Sequence, residues 1–281
     1  MNIKLNFLVY LNKHLAISML FFILRKIIIY NQKIRIFLSI SKENKFSGKF
    51  KNFNDAFKFS KFGYKDENIF NKVKNSSLIV KKNIFPYQKD SIFFEKIPFN
   101  NNLFRVFSML KKKCQTINVI DYGGSFGNIY KQVNFFFGKI DLNWNIVEQK
   151  HYVKFAKKNF QNANLKFFYD LNKIRQKNHL ILFSSSLQYL KAPYKTLSVL
   201  TGKTSDYICI DIVPLSDSSE YVSIEKPPGY IYDCSYPIWI LNKKKLISFL
   251  KKKNYTLVNY KMLNYAVSDI RYYFLFFKKK S

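Results

Sequence analysis

The segment Asp121-Tyr122-Gly123-Gly124-Ser125-Phe126-Gly127 has the composition of a ligand-binding turn. A β-rich run over 118–122 leads into it and a helical pattern over 128–137 leads out, so its glycines fall where a strand hands over to a helix. A turn without Cβ atoms lets the backbone approach a ligand closely. Gly123 is placed to make the tight turn and Gly127 to let the helix pack on the sheet, while Gly124 and Ser125 offer backbone N–H groups. Asp121 stands just ahead of the glycines, where a carboxylate repels a pyrophosphate and attracts a cationic amino-acid tail.

A second carboxylate, Glu148, ends the run Trp144-Asn145-Ile146-Val147-Glu148, one strand-helix-strand step later, with Gln149 following. At the tip of a second parallel strand it can accept both hydroxyls of a ribose. Two acids so spaced fit S-adenosyl-L-methionine, whose methionine end is cationic and whose other end is a nucleoside. Ser184, Ser185 and Gln188, in the run Ser184-Ser185-Ser186-Leu187-Gln188-Tyr189-Leu190, put small and amide side chains at another strand end, and Asp170 lies where it could face the adenine. Asp170 also reads as a helix N-cap. Methyl transfer to a hydroxyl benefits from a general base. The candidates are Asp211, at the tip of a fifth strand, and Asp233 and Tyr236, in the stretch beyond it.

These residues must be positioned by alternating elements. Strand patterns lie at 118–122, 143–148, 165–169, 179–184 and 207–212, with helical patterns at 128–137, 152–160, 171–176 and 194–200 between them. Such alternation predicts an α/β fold with a mostly parallel, doubly wound, Rossmann-like sheet. After an irregular stretch over 213–237 come a helix at 243–252 and two late strands at 255–260 and 272–277. A closing pair with a late antiparallel strand belongs to a class I methyltransferase sheet rather than to a plain dinucleotide fold. Three regions result: an apolar and basic helical lead over 1–45, an aromatic-rich cap region over 46–110 with helical stretches at 54–59 and 101–110, and the cofactor-binding domain over 111–281.

Lys and Arg number 48 against 17 acids, a formal charge of +31. Arginine, the usual residue for bidentate base contacts, is rare: Arg25, Arg35, Arg105, Arg175 and Arg271. The chain is crowded with Lys, Asn, Ile, Phe and Tyr, all with A/T-rich codons, which accounts for most of the charge. Nucleic acid is therefore not the expected partner. Cys114, Cys209 and Cys234 are widely spaced and odd in number, as in a protein of the reducing cytoplasm, and neither they nor the scattered histidines form a metal motif. Residues 5–30 combine apolar runs with Lys13, Arg25 and Lys26. They are too interrupted for a membrane span. They suit either a core helix or a basic helix lying peripherally on the inner face of a membrane.

The stretches Asp121–Gly127, Trp144-Asn145-Ile146-Val147-Glu148-Gln149, Ser184–Leu190 and Ser235-Tyr236-Pro237-Ile238-Trp239 together resemble a methyltransferase family designated only by a serial label and without a defined acceptor. Phe46-Ser47-Gly48, Gly63-Tyr64 and Tyr87-Gln88-Lys89-Asp90 are similar to that family's aromatic lead-in, so the resemblance covers most of 46–277. It implies the class I fold and S-adenosylmethionine as cofactor. The association of such genes with surface-polysaccharide functions implies a sugar or glycan hydroxyl as the small-molecule acceptor. Two departures stand out. Ser125 replaces a customary glycine, and Asp211 is followed by Ile212-Val213-Pro214 where the family tends to carry a basic residue.

Three other classes compete. A nucleotide-sugar oxidoreductase or epimerase needs a Tyr-x-x-x-Lys pair, and Tyr169 with Lys173 is one match, after the wrong strand. A nucleic-acid methyltransferase typically carries a polar-Pro-Pro-aromatic loop after its fourth strand. Serines occupy that place here, and Lys226-Pro227-Pro228-Gly229-Tyr230 comes too late. A membrane-bound, non-enzymatic module would fail to bind S-adenosylmethionine.

Overall fold

The computed structural model describes residues 2–39, 45–61, 67–138, 140–175, 177–203, 205–267 and 270–280, with side chains from residue 17 onward. Gly63-Tyr64 and Gln176 lie outside the described residues, as do the side chains of the first part of the 5–30 segment. In chain order the elements are α1 (Asn2–Leu38), β1 (Lys45–Phe50), α2 (Phe53–Lys58), α3 (Glu67–Lys81), β2 (Tyr87–Lys89), β3 (Ile92–Phe94), α4 (Asn101–Lys113), β4 (Thr116–Tyr122) and α5 (Asn128–Phe137). There follow β5 (Asp141–Val147), α6 (Lys150–Asn159), β6 (Leu165–Phe168), β7 (Asn178–Ser184), α7 (Pro193–Thr201), β8 (Ser205–Ser216), β9 (Tyr221–Lys226), β10 (Tyr236–Asn242), α8 (Lys243–Lys252), β11 (Tyr255–Val267) and β12 (Ile270–Lys279).

The main sheet runs β6-β5-β4-β7-β8, all parallel, and continues through β12 and then β11. β12 lies antiparallel to both β8 and β11. That order, with one reversed strand inserted next to the last, is the class I methyltransferase sheet. Both faces are covered, as a parallel sheet requires. One face buries Val119, Trp144, Ile146, Leu180 and Leu182 against α4, α5 and α6, and the other buries Ile120, Ile181, Phe183, Ile208 and Ile210 against α7 and α8.

Three expectations need correction. The stretch 213–237 is not irregular. It completes β8, contains β9 and begins β10, which form an accessory sheet in the order β1-β9-β10 joined to the last residues of β8. The cap region holds a full helix, α3, whose apolar Ile69, Val73 and Val80 recur at helical spacing among lysines and asparagines. The pattern over 171–176 yields only a single 3-10 turn, Leu171–Lys173.

β8 bends where its two sheets meet. Ile210 pairs with Leu275 and Val213 with Tyr273, so Asp211 and Ile212 together face Phe274 alone. This is a β-bulge. Ile212 takes φ 58° there, a conformation rare for a β-branched residue.

Among the described residues no helix is long and apolar enough to cross a bilayer. One stripe of α1, with Phe21, Leu24 and Ile28, packs on Val80, Ile84 and Phe85. Gln32 exchanges two hydrogen bonds with the backbone of Phe93, and Arg25 donates to the carbonyls of Asn83 and Ile84. Its outer side leaves Met19, Ile23, Ile27, Tyr30, Ile34 and Phe37 exposed.

Candidate active site

Carboxyl ends of β4, β5, β7 and β8 open onto one cavity of about 970 Å³, roofed by the β2–β3 hairpin, the 227–236 segment and the ends of β11 and β12. This is where an open α/β sheet binds its ligand.

The turn after β4 is built around Asp121. Its side chain is fully buried, and Oδ2 accepts a hydrogen bond from Trp144 Nε1 at 3.0 Å. Oδ1 has no partner. A Cβ on Gly124 would stand 2.3 Å from that carboxylate, so the glycine exists to let the acid fold beneath the turn. Gly123 takes φ 76° and donates its N–H to the Val147 carbonyl at 2.9 Å. A Cβ there would meet Ser186 Cβ at 2.6 Å, so a side chain at 123 strikes the neighbouring strand end rather than ligand space. Gly127, at φ 88°, seats α5 on the sheet, with Leu165 within 3.1 Å of where its Cβ would lie. Ser125 itself adopts φ 50°. The customary glycine at this position thus answers a left-handed backbone, which Ser125 occupies at a cost.

Glu148 closes the turn from the tip of β5. Its Oε1 accepts from Ser125 N at 3.3 Å and its Oε2 from Gln149 N at 2.8 Å. Each oxygen keeps a lone pair for a further donor. Burial lifts Glu148 to about 7, against the pull of the Gln149 and Ser125 N–H groups. Burial likewise lifts Asp121 to about 7, opposed by the Trp144 hydrogen bond and reinforced by the Glu148 charge.

Asp211, 2% exposed on the β8 bulge, faces the same cavity. Its Oδ2 accepts from Asn100 Nδ2 at 3.1 Å and from Ser184 Oγ at 3.3 Å. Burial raises its pKa, while the Lys89 ammonium and these two donors lower it. Asn100 also caps α4, its Oδ1 accepting from Asn102 N and Leu103 N. Ser185 adopts φ 54° and donates its N–H to the Asp211 carbonyl at 2.8 Å. Left-handed Ser125, Ser185 and Ile212 therefore ring the strand ends. Such strain costs roughly 1–3 kcal/mol per residue and gathers at ligand sites.

Not every expected residue lines the cavity. Gln188 is buried behind it, its Nε2 bracing the Ile212 carbonyl at 3.2 Å. Asp170 caps the 3-10 turn through Asn172 N at 2.9 Å and does not line the cavity. Asp233 is exposed at the surface, pairs with Lys61 Nζ at 3.5 Å and does not line the cavity. Tyr236 does line the cavity, edge-on to Tyr189 at 5.4 Å. Sequence reasoning missed Asn100, Asp90 and Glu225 as cavity residues. Glu225 could have been found from the alternation Tyr221-Val222-Ser223-Ile224-Glu225, a strand pattern with its acid on one face.

No protein-family model matches this chain, and no curated protein matches it significantly. Among solved structures it is similar to the N-terminal domain of EvdMO1, determined in the presence of S-adenosylhomocysteine and D-fucose, at 11% identity and TM-score 0.49 over 78% of this chain and 100% of that one. Magnesium protoporphyrin IX methyltransferase from Synechocystis PCC 6803, with bound S-adenosylmethionine, gives 10% identity and TM-score 0.45 over 64% and 77%. A Burkholderia thailandensis 1,6-didemethyltoxoflavin-N1-methyltransferase gives 14% and 0.43 over 63% and 78%. The order of strands assigns the fold without them.

Proposed function

We propose that this protein transfers the methyl group of S-adenosyl-L-methionine to a hydroxyl of a sugar or glycan precursor. The observation that carries the reading is the carboxylate pair of buried Asp121 and part-buried Glu148, at adjacent strand tips of a class I methyltransferase sheet, with Asp121 Oδ1 unpartnered at the cavity wall. Asp121 suits the cationic methionine end, and the free lone pairs of Glu148 suit the two ribose hydroxyls. The Ser125 hydroxyl, also buried without a partner, lies in the same turn. When bound there, the cofactor supplies an electrophilic methyl on a sulfonium. The protein's own contribution is orientation and exclusion of water. Asp211, at the next strand end but one, is placed to take the proton of the acceptor hydroxyl, with Ser184 and Asn100 fixing its rotamer. Tyr236 packs as a wall that positions the acceptor.

Calorimetry with S-adenosylhomocysteine tests the reading, which requires saturable binding at one site. A folded protein that shows no binding would sink it.

The exposed stripe Ile23, Ile27, Tyr30, Ile34 on α1, with Lys26 and Lys33 beside it, favours a second reading: peripheral contact with an anionic membrane surface at the cytoplasmic face.

A further inference from the structure

α1 touches the cavity without lining it. Two separate elements roof the cavity, the β2–β3 hairpin and the segment over 227–232, and α1 is bonded to both from outside. Gln32 Nε2 donates to the Phe93 carbonyl at 3.2 Å, and Gln32 Oε1 accepts from Phe93 N at 2.9 Å. Arg25 donates to the carbonyls of Asn83 and Ile84, just ahead of the hairpin. Arg35 donates to the Tyr230 carbonyl. At Gly229 the backbone comes so near the end of α1 that a Cβ would stand 3.2 Å from Ser39 Oγ.

The other side of the helix is a different surface. Met19, Ile23, Ile27, Tyr30 and Ile34 are all exposed, and their spacing of four, four, three and four residues sets them on one stripe. Every ionisable side chain of α1 apart from His14 and its tyrosines is basic: Lys4, Lys13, Arg25, Lys26, Lys33 and Arg35. A second copy of the helix would bring like charge against like charge. An anionic bilayer satisfies both features, taking the apolar stripe into its interface and the lysines to its headgroups.

We propose that α1 couples the two sides: docked on an anionic bilayer by its outer stripe, it holds the cavity roof shut through Gln32 and Arg35. The proposal rests on the peripheral-membrane reading and adds regulation to the site proposed for methyl transfer. For the roof to part from the sheet, the hairpin and the 227–232 segment must move, and both hang on α1. A helix held by a bilayer withdraws that freedom. Ligand exchange is then slow at the membrane and fast away from it. Linkage makes the effect reciprocal, so a ligand that needs the closed roof strengthens the membrane contact.

The test follows backbone hydrogen exchange of the full chain with phosphatidylglycerol vesicles, with phosphatidylcholine vesicles and without lipid. Exchange over 87–94 and 227–232 is expected to slow about tenfold with phosphatidylglycerol and not with phosphatidylcholine, and S-adenosylhomocysteine dissociation to slow by a similar factor. Gln32→Ala leaves the outer stripe intact and should still float with the vesicles. Its hairpin should then exchange at one rate with and without lipid. Arg35→Ala should release 227–232 in the same way while the hairpin stays coupled. Protection that persists in both variants would mean that lipid merely shields the roof, and overturns the proposal. So does flotation without any protection in the wild type, or a chain that self-associates through α1 and does not float. If S-adenosylhomocysteine fails to bind, the methyltransferase reading falls, and the exchange data still decide whether α1 passes the membrane contact to the roof.

Discussion

Glu148 already holds two backbone N–H groups of the neighbouring turn, so its carboxylate is oriented in the free protein. Glu148→Ala is expected to weaken S-adenosylhomocysteine binding by about 1.5–3 kcal/mol. Unchanged affinity in a folded variant would remove Glu148 from the site. The same residue sets a pH dependence. Accepting two ribose hydroxyls favours the ionised form, whereas Glu148 in the free protein is lifted to about 7 by burial. Affinity should therefore be full above pH 7 and fall by up to about tenfold per unit below it. Glu148→Gln should flatten that slope to whatever Asp121 contributes. The glycine turn gives a contrasting pair. Ser125→Gly relieves a left-handed backbone and should stabilise the protein by roughly 0.5–1 kcal/mol, since relief of strain is partly offset by unfolded-chain entropy. Gly123→Val forces a β-branched residue to φ 76° and into Ser186, and should abolish binding. A Ser125→Gly variant that melts lower, or a folded Gly123→Val that binds normally, would contradict this account of the turn. The turn that brings Asp121, Gly123, Gly127 and Glu148 together was legible because it depends on neighbours in the chain. That Asp90 and Glu225 line the same cavity was not, because it depends on elements far apart in sequence.

At the scale of elements, α1 has two different apolar faces, and a sequence reading could not apportion them because neither is flanked by a purely polar stripe. The inner face is a packing surface and the outer face is exposed. Full-length protein is expected to float with phosphatidylglycerol-containing vesicles at low salt and to be partly released by high salt. The double variant Ile23→Glu, Ile27→Glu should lose flotation at an unchanged melting temperature. Flotation that survives the double variant would rule out the outer face as the contact. Deleting residues 1–30 uncovers Val80, Ile84 and Phe85, so a lower melting temperature should accompany loss of flotation. A deletion as stable as the full chain would mean that the inner packing contributes nothing. The parallel strands were readable from alternation with helices. The accessory sheet was not, because β1 pairs with β9 across the register Lys45 to Lys226, a contact no local pattern announces.

Across the whole molecule, the 12-residue strand β8 belongs to two sheets at once. Up to Asp211 it pairs with β7 in the main sheet; past the bulge, Leu215 and Ser216 carry β10, and through β10 the accessory strand with Glu225. The two sheets pair as strands only at Leu241 with Leu215 and Asn242 with Ser216, and Tyr189 ties them a second time through Glu225 and Tyr236. Inheritance can act on the two independently. Glu225 lines the cavity from β9, a strand paired with neither β4 nor β5, so substitutions on β9 can reshape that wall without touching the strands that carry Asp121 and Glu148.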